Sequence, residues 1–392
     1  MTEPKLRFKA DDGSNYPELT VAKLDDLCEK IGDGLHGTPI YSQTGNYYFI
    51  NGNNLENGKI IVSSDTPKVN DSVFEKNNKE LNDSTILMSI NGTIGKVAYY
   101  NNEKVMLGKS VAYFKVNYKC IKEYCYQLIQ TANVQCQFQK GLTGSTIKNL
   151  GLNTIKNTNV KVPCLPEQQK IADFLSTIDT VIAKQKETVS AWEERKKGVM
   201  QKLFSQEVRF KADDGSQFPE WEEKKIGDVF HVTRGYVLPV KDTKEIADDE
   251  YKYPVYSSQT KNNGLMGFYN QKLYENAITW TTDGANAGKT LYRQGAFYCT
   301  NVCGVLIDEK GNANNCIANM IDRISKKHVS YVGNPKLMNN VMSEIKLAFP
   351  CLAEQQKIAD CLSSLDEVIE KQKATLTAWE ELKKGLLQQM FV

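Results

Sequence analysis

One 42-residue stretch occurs twice in this chain. The segment PCLPEQQKIADFLSTIDTVIAKQKETVSAWEERKKGVMQKLF runs from Pro163 to Phe204 and returns without a gap from Pro350 to Phe391, with 28 of its 42 positions identical. Stepping four then three residues along the first copy gives Ile171, Leu175, Ile178, Ile182, Gln185, Val189, Trp192, Lys196, Val199 and Leu203. The second copy gives Ile358, Leu362, Leu365, Ile369, Gln372, Leu376, Trp379, Lys383, Leu386 and Met390. An apolar repeat of 3.5 residues keeps one seam of a helix facing a partner helix, which is a coiled-coil pattern. Each copy predicts a helix of roughly 57 Å at 1.5 Å per residue. The exceptions, a Gln and a Lys, fall on the same rungs in both copies, so the natural partner of each helix is the other. Antiparallel pairing satisfies a pseudo-twofold that sets the intervening domains at opposite ends. Gln185 and Gln372 are candidate register-setting polar residues. Lys196 and Lys383 are placed to run their stems along the seam's edge.

A second repeat frames the first. RFKADDGSNYPEL (Arg7 to Leu19) recurs as RFKADDGSQFPEW (Arg209 to Trp221), directly after the first long helix. The chain ends where the same continuation would begin. The order is therefore a closed two-fold cycle opened at one point, which predicts that Met1 and Val392 lie close together. Between the repeats lie two diverged regions rich in Asn, Gly, Tyr, Thr and Ser. Short β-type runs occur at residues 85–90, 96–100, 110–116, 277–280 and 304–307, with turn signals at Asn51-Gly52, Asn91-Gly92 and Asp283-Gly284. Tyr124 to Gln139 reads as a helical patch. The expected architecture is α+β, with two α/β-mixed domains separated by a pair of long antiparallel coiled-coil helices in pseudo-twofold symmetry. Its parts are an N-terminal repeat segment 1–19, a first variable domain 20–162, a spacer helix 163–205, a linker 206–221, a second variable domain 222–349 and a C-terminal spacer helix 350–392.

At 392 residues the chain can bury two or three cores, and its net charge of +2 gives no overall basic character. The N-terminus lacks the apolar core of a signal peptide and no run is long enough for a membrane span, so a cytoplasmic, non-membrane protein is expected. The ten cysteines include no CxxC and none pairs with one of the three histidines at zinc-ligand spacing. They read as scattered buried thiols in a reducing compartment.

Catalytic motifs are missing. Gly284-Ala-Asn-Ala-Gly288-Lys289-Thr290 has three residues between its glycines where a phosphate-cradling loop needs four, and Asp283 occupies the position that would restore the spacing. The residues after Thr290 are β-like, whereas such a loop opens a helix. Asn334-Pro335-Lys336 lacks the second proline and aromatic of an amino-methyltransferase motif, and the acidic run at Asp248 reads as a solvated loop. A non-catalytic recognition protein is the favoured reading, with a nucleotide-binding enzyme using the Gly284 loop and a protein-binding scaffold as the alternatives.

The paired Pro-Cys-Leu-x-Glu-Gln-Gln-Lys-Ile-Ala-Asp helix starts at Pro163 and Pro350 carry a family resemblance. So do the Trp-Glu-Glu-x-Lys-Lys-Gly stretches at Trp192 and Trp379, the repeated RFKADDGS and the divergent domains. In these features the chain resembles the specificity subunit of type I restriction-modification systems. In the first domain Gly37-Thr38-Pro39, Gly45 to Ile50, Gly92-Thr93-Ile94-Gly95-Lys96 and Gly144-Ser145-Thr146 are similar to that family's target-recognition segments. The second domain departs, with Thr233-Arg234-Gly235-Tyr236 in place of Gly-Thr-Pro. The resemblance implies that each variable domain reads one half of a split, asymmetric double-stranded DNA site while the helices act as a ruler. It implies as partners two methyltransferase subunits using S-adenosylmethionine and restriction subunits using ATP and Mg, with no cofactor in this chain. A variant of the same reading places the chain in a system whose methyltransferase and nuclease are fused.

Lys residues outnumber Asp and Glu 16 to 12 over residues 20–162, a region with no arginine. Guanine there would be read by Lys, or by Ser or Thr, and adenine by Asn or Gln. The candidate DNA-binding residues, all on polar or Gly-rich loops, are His36, Thr38, Tyr41, Gln43, Asn91, Thr93, Lys96, Ser145, Thr146 and Lys148. In the second domain they are Arg234, Tyr236, Ser257, Ser258, Gln259, Lys261, Thr282, Asn286 and Lys289.

Overall fold

The computed structural model describes residues 3–258 and 261–391, without the side chain of Lys261. The chain forms two compact units, residues 1–188 with 373–392 and residues 189–372, so each unit takes one half of each long helix.

The first unit opens with β1 (Thr20–Lys23) and β2 (Cys28–Asp33), followed by β3 (Tyr47–Ile50), β4 (Thr85–Ser89), β5 (Val97–Tyr99), β6 (Val105–Leu107) and β7 (Val111–Val116). Helices α1 (Lys122–Ile129) and α2 (Ala132–Lys140) come next. Strand β8 (Asn159–Val162) then leads into the long helix α3 (Leu165–Phe204). The main sheet is antiparallel in the order β2-β7-β4-β5, with Val111 opposite Ser89 and Ile86 opposite Tyr99. All five residues of β4 are buried, because the sheet is covered on both faces. On one face Ile86, Met88 and Phe114 pack with α1, α2 and Ile171, Leu175 and Ile178 of α3, and on the other Leu87 and Tyr113 pack with Ile50, Leu55 and Leu107.

The stretch Tyr124 to Gln139, which reads as one helical patch, is two helices. Thr131 interrupts it with extended backbone (φ −65, ψ 149), its hydroxyl accepting a hydrogen bond from the Val134 amide and donating to Leu128 O. A side-chain oxygen that competes for backbone groups favours the cap over the helix interior. Thr131→Ala removes a buried cap and is expected to lower stability by about 1 kcal/mol in urea unfolding.

The second unit has β9 (Glu222–Lys225), β10 (His231–Arg234), β11 (Tyr253–Tyr256), β12 (Leu265–Tyr269), β13 (Tyr274–Thr281), β14 (Thr290–Cys299) and β15 (Cys303–Ile307). Helix α4 (Asn315–Ser325), strand β16 (Lys346–Phe349) and the long helix α5 (Leu352–Met390) follow. Its six-stranded sheet runs β10-β15-β13-β14-β11-β12. Ile278 and Trp280 turn one face toward α4, Ile358 and Leu362, while Ala277, Phe297 and Val305 form a separate cluster on the other. The indole N–H of the buried Trp280 donates to Leu337 O at 3.0 Å.

The repeats explain each other. The first and last strands of each unit pair just before its long helix, Thr20 opposite Val162 and Glu222 opposite Phe349. The Glu-Gln-Gln-Lys of each helix start then holds the RFKADDGS segment. Arg7 grips the buried Glu167 through Nε and Nη2 at 3.0 and 2.6 Å, and Arg209 grips Glu354 at 3.0 and 2.9 Å. Gln168 and Gln355 each donate to the proline carbonyl that precedes the helix. Lys170 and Lys357 reach Lys9 O and Lys211 O and pair with Asp11 and Asp213. In both segments the DDGS turn has glycine in the left-handed region, Gly13 at φ +82 and Gly215 at +85, with the preceding aspartate accepting from the serine amide.

The same symmetry covers the chain's opening. The amide of Leu6 donates to Gln389 O at 3.0 Å in the first unit, as that of Val208 does to Lys202 O in the second. Met1 and Val392, expected as neighbours, lie outside the described residues. Within the first unit the helices run antiparallel, since Asp179 pairs with Lys383 at 2.6 Å and Lys186 with Glu380 at 2.9 Å. In the second unit Lys196 pairs with Asp366 at 2.5 Å. The two seam lysines are therefore ion-paired to equivalent aspartates, where the sequence suggested only apolar stems with solvated heads. Six of the ten cysteines are buried, but Cys136 is exposed and Cys164, Cys351 and Cys361 are half-buried, so the expectation of buried thiols holds only in part.

Candidate nucleic-acid interface

Each unit builds the same two-loop edge from different residues. In the first, the turn between β4 and β5 carries Gly92 at φ +71, a conformation that costs a glycine little. Its amide donates to Lys148 O at 3.0 Å, Leu150 N donates to Ile90 O at 2.9 Å, and Asn91 bridges Asn149. The turn is thus tied to the hairpin at residues 142–150. In the second unit the turn between β13 and β14 carries Gly284 at φ +92, which donates to Pro335 O at 2.9 Å, and Leu337 N donates to Thr282 O. No helix follows this loop, because β14 begins at Thr290.

Both edges end in exposed apolar side chains. Ile147 is 69% exposed in the first unit, and Tyr331 and Val332 are 69% and 93% exposed in the second. Among the described residues Lys96, Lys140 and Lys148 of the first edge have no carboxylate partner, nor do Lys326 and Lys327 of the second. Such cations are available to phosphates, and the exposed apolar tips to base edges.

In the first unit the turn that carries Asn91, Thr93 and Lys96 is hydrogen-bonded to the hairpin that carries Ser145, Thr146 and Lys148. His36, 71% exposed and 2.6 Å from Asp33, shares an open cleft of about 710 Å³ with Asn91, Lys109 and Asn149. The Oδ1 atom of Asn91 is buried there, without a hydrogen-bond partner among the described residues. Thr38, Tyr41 and Gln43 are exposed on the segment after β2 but do not line this cleft.

In the second unit Ser257, Asn286 and Lys289 meet in one pocket of about 160 Å³. Arg234 and Tyr236 are exposed at and just past the end of β10, and Ser258 is half-buried. Gln259 and the side chain of Lys261 lie outside the described residues. Thr282 is buried, its hydroxyl donating to Asp283 at 2.7 Å. Lys289 is 2.7 Å from Asp322, which neutralises it. The acidic run at Asp248 is a loop in which Asp248 pairs with Lys244 and accepts from the amides of Glu250 and Tyr251.

Sequence reasoning missed the hairpin at residues 330–336 and Arg293. The hairpin had a turn signal in Gly333-Asn334-Pro335, and Arg293 stands alone as a charge inside the aromatic strand TLYRQGAFYC. Burial lowers the pKa of its guanidinium and pushes the thiol of neighbouring Cys303 up to about 11.

Residues 17–190 and 219–378 match the family model described as type I restriction modification DNA specificity domain. One relative, named as a type I specificity subunit of Mycoplasma pneumoniae, is 35% identical over 181 residues, 44% of this chain and 56% of its own length. The match thus spans about half of that relative. A second from the same organism, also named as a type I specificity subunit, is 30% identical over 250 residues, 62% of this chain and 87% of its own length. A solved S subunit of a type I restriction-modification system from M. genitalium shares the fold, with TM-score 0.63 and 17% identity over 100% of this chain and 99% of that one. With two matched segments that together take in most of the sequence, each reaching into one copy of the duplicated helix, the chain belongs to the family of type I restriction-modification specificity subunits.

Proposed function

We propose that this chain is the DNA-recognition subunit of a restriction-modification complex, each unit reading one half of a bipartite, asymmetric duplex site. The observation that supports this best is the repeated two-loop edge, built from equivalent backbone hydrogen bonds but tipped with unlike side chains. Equal scaffolds with unlike tips suit two readers of different sequences. The long helices set the spacing between half-sites, each being about 60 Å long at 1.5 Å per residue, against roughly 34–36 Å per turn of duplex. Their exposed charges, Glu193, Glu194 and Lys197 with the repeats Glu380, Glu381 and Lys384, offer a docking face for two methyltransferase subunits. Methyl transfer from S-adenosylmethionine and ATP-driven restriction would reside in those partners, whether separate or fused.

The test is duplex binding by the chain co-purified with its methyltransferase partner. Sequence-selective footprints on two separated segments are expected. Replacing Lys96, Lys140 and Lys148 together by alanine should flatten the dependence of log K on log salt by about 0.9 for each lysine that meets a phosphate. Footprints indifferent to sequence, with an unchanged salt dependence in the triple variant, would refute the reading.

A further inference from the structure

The pocket of the second unit holds a charge that the protein leaves uncompensated. Arg293 on β14 is only 9% exposed, yet among the described residues it has no carboxylate partner. Its Nε donates to Thr279 Oγ1 at 3.0 Å, its Nη2 donates to Asn263 O at 2.7 Å, and the guanidinium stacks 3.7 Å from the centre of the Tyr256 ring. A buried cation costs several kcal/mol unless an anion or a full set of acceptors meets it. Cation–π contact recovers about 2 kcal/mol of that at most sites where water is excluded.

The walls around Arg293 are suited to an oxyanion. Ser257, Thr281 and Asn286 line the same pocket and bring hydroxyl and amide groups, and among the described residues that line it the only other charge, Lys289, is already paired with Asp322. On the corresponding sheet face of the first unit Leu87 and Ala98 pack with Ile50 and Leu55, and residues 20–162 contain no arginine. The feature therefore belongs to one unit and is not part of the shared scaffold.

We propose that this pocket is a subsite for a phosphate oxygen, gripped by Arg293 and the mouth residues Ser257 and Asn286. That the phosphate comes from a DNA backbone rests on the function proposed above, whereas the site itself does not. Two measurements separate the sources. For DNA, Arg293→Met in the full chain with its methyltransferase partner is expected to weaken duplex binding about tenfold. The slope of log K against log salt should fall by about 0.9, one phosphate contact, while Arg293→Lys keeps part of both. For a free anion, millimolar inorganic phosphate without DNA should raise the melting temperature of the unmodified chain and leave that of Arg293→Met unmoved.

Either response supports the subsite and names its source. If duplex affinity, salt slope and phosphate response are the same in Arg293→Met and the unmodified chain, the proposal is overturned. Should Arg293→Met fail to fold, Asn286→Ala and Ser257→Ala at the mouth carry the test. A few-fold loss of duplex or phosphate binding at unchanged melting temperature supports it, and no change refutes it. A chain that binds no duplex selectively sinks the DNA reading alone, because the phosphate arm still decides the pocket.

Discussion

Glu354→Ala is expected to destabilise the second unit by about 3 kcal/mol, the low end of the range for breaking a buried ion pair. Glu354 is fully buried and accepts three hydrogen bonds, two from Arg209 and one from the Trp221 indole at 2.9 Å. Removing the carboxylate leaves the Trp221 indole N–H and the Arg209 Nε without their acceptor, while Arg209 keeps Glu220 at 3.4 Å and the carbonyls of Phe218 and Pro219. The low end applies because the edge of Arg209 still touches water, which screens part of its charge. Glu167→Ala in the first unit should cost less. Its Arg7 is more exposed, and Leu19 stands where the second unit has Trp221, so one hydrogen bond fewer is lost. Urea unfolding of the two variants checks both the magnitude and the order. A loss below about 1 kcal/mol for Glu354→Ala would show that the clamp contributes no more than a surface pair.

Exchanging residues 20–162 for the same region of another such chain is expected to change one half of the methylated DNA motif and leave the other half intact. The graft is physically reasonable because Thr20 and Val162 are direct antiparallel partners, so both junctions lie side by side. Most of the apolar core of that region is its own, Ile86, Phe114 and Phe138 among it, and it meets α3 through Ile171, Leu175 and Ile178. A graft that keeps apolar residues opposite those three should fold. Methylome sequencing with the original and the exchanged chain names both motifs directly. A motif altered in both halves, or in neither, would contradict independent reading by two units.

The duplicated helix, the linker repeat and the strand–turn–strand at Asn91-Gly92 and Asp283-Gly284 were legible because each is a local signal. A 3.5-residue apolar period, a glycine turn between alternating runs and an internal repeat all follow from nearest-neighbour chemistry, and they were enough for the fold class and the family. The break at Thr131 was within reach too, since a threonine before Ala-Asn-Val is an N-cap signal that the surrounding apolar residues obscured.

What the sequence left open depends on residues far apart in the chain. The Glu-Gln-Gln-Lys and RFKADDGS motifs were each visible as repeats, but only the folded chain shows that one binds the other across 160 residues in the first unit and 145 in the second. The seam lysines, marked by their rungs, find Asp366 and Asp179 only once the antiparallel register is set. Arg293 looks like an ordinary strand residue until the sheet buries it beside Tyr256 and away from every carboxylate described. Periodicity reports which face of an element is buried, but charge compensation depends on which distant side chain arrives there, and that is decided by tertiary packing alone.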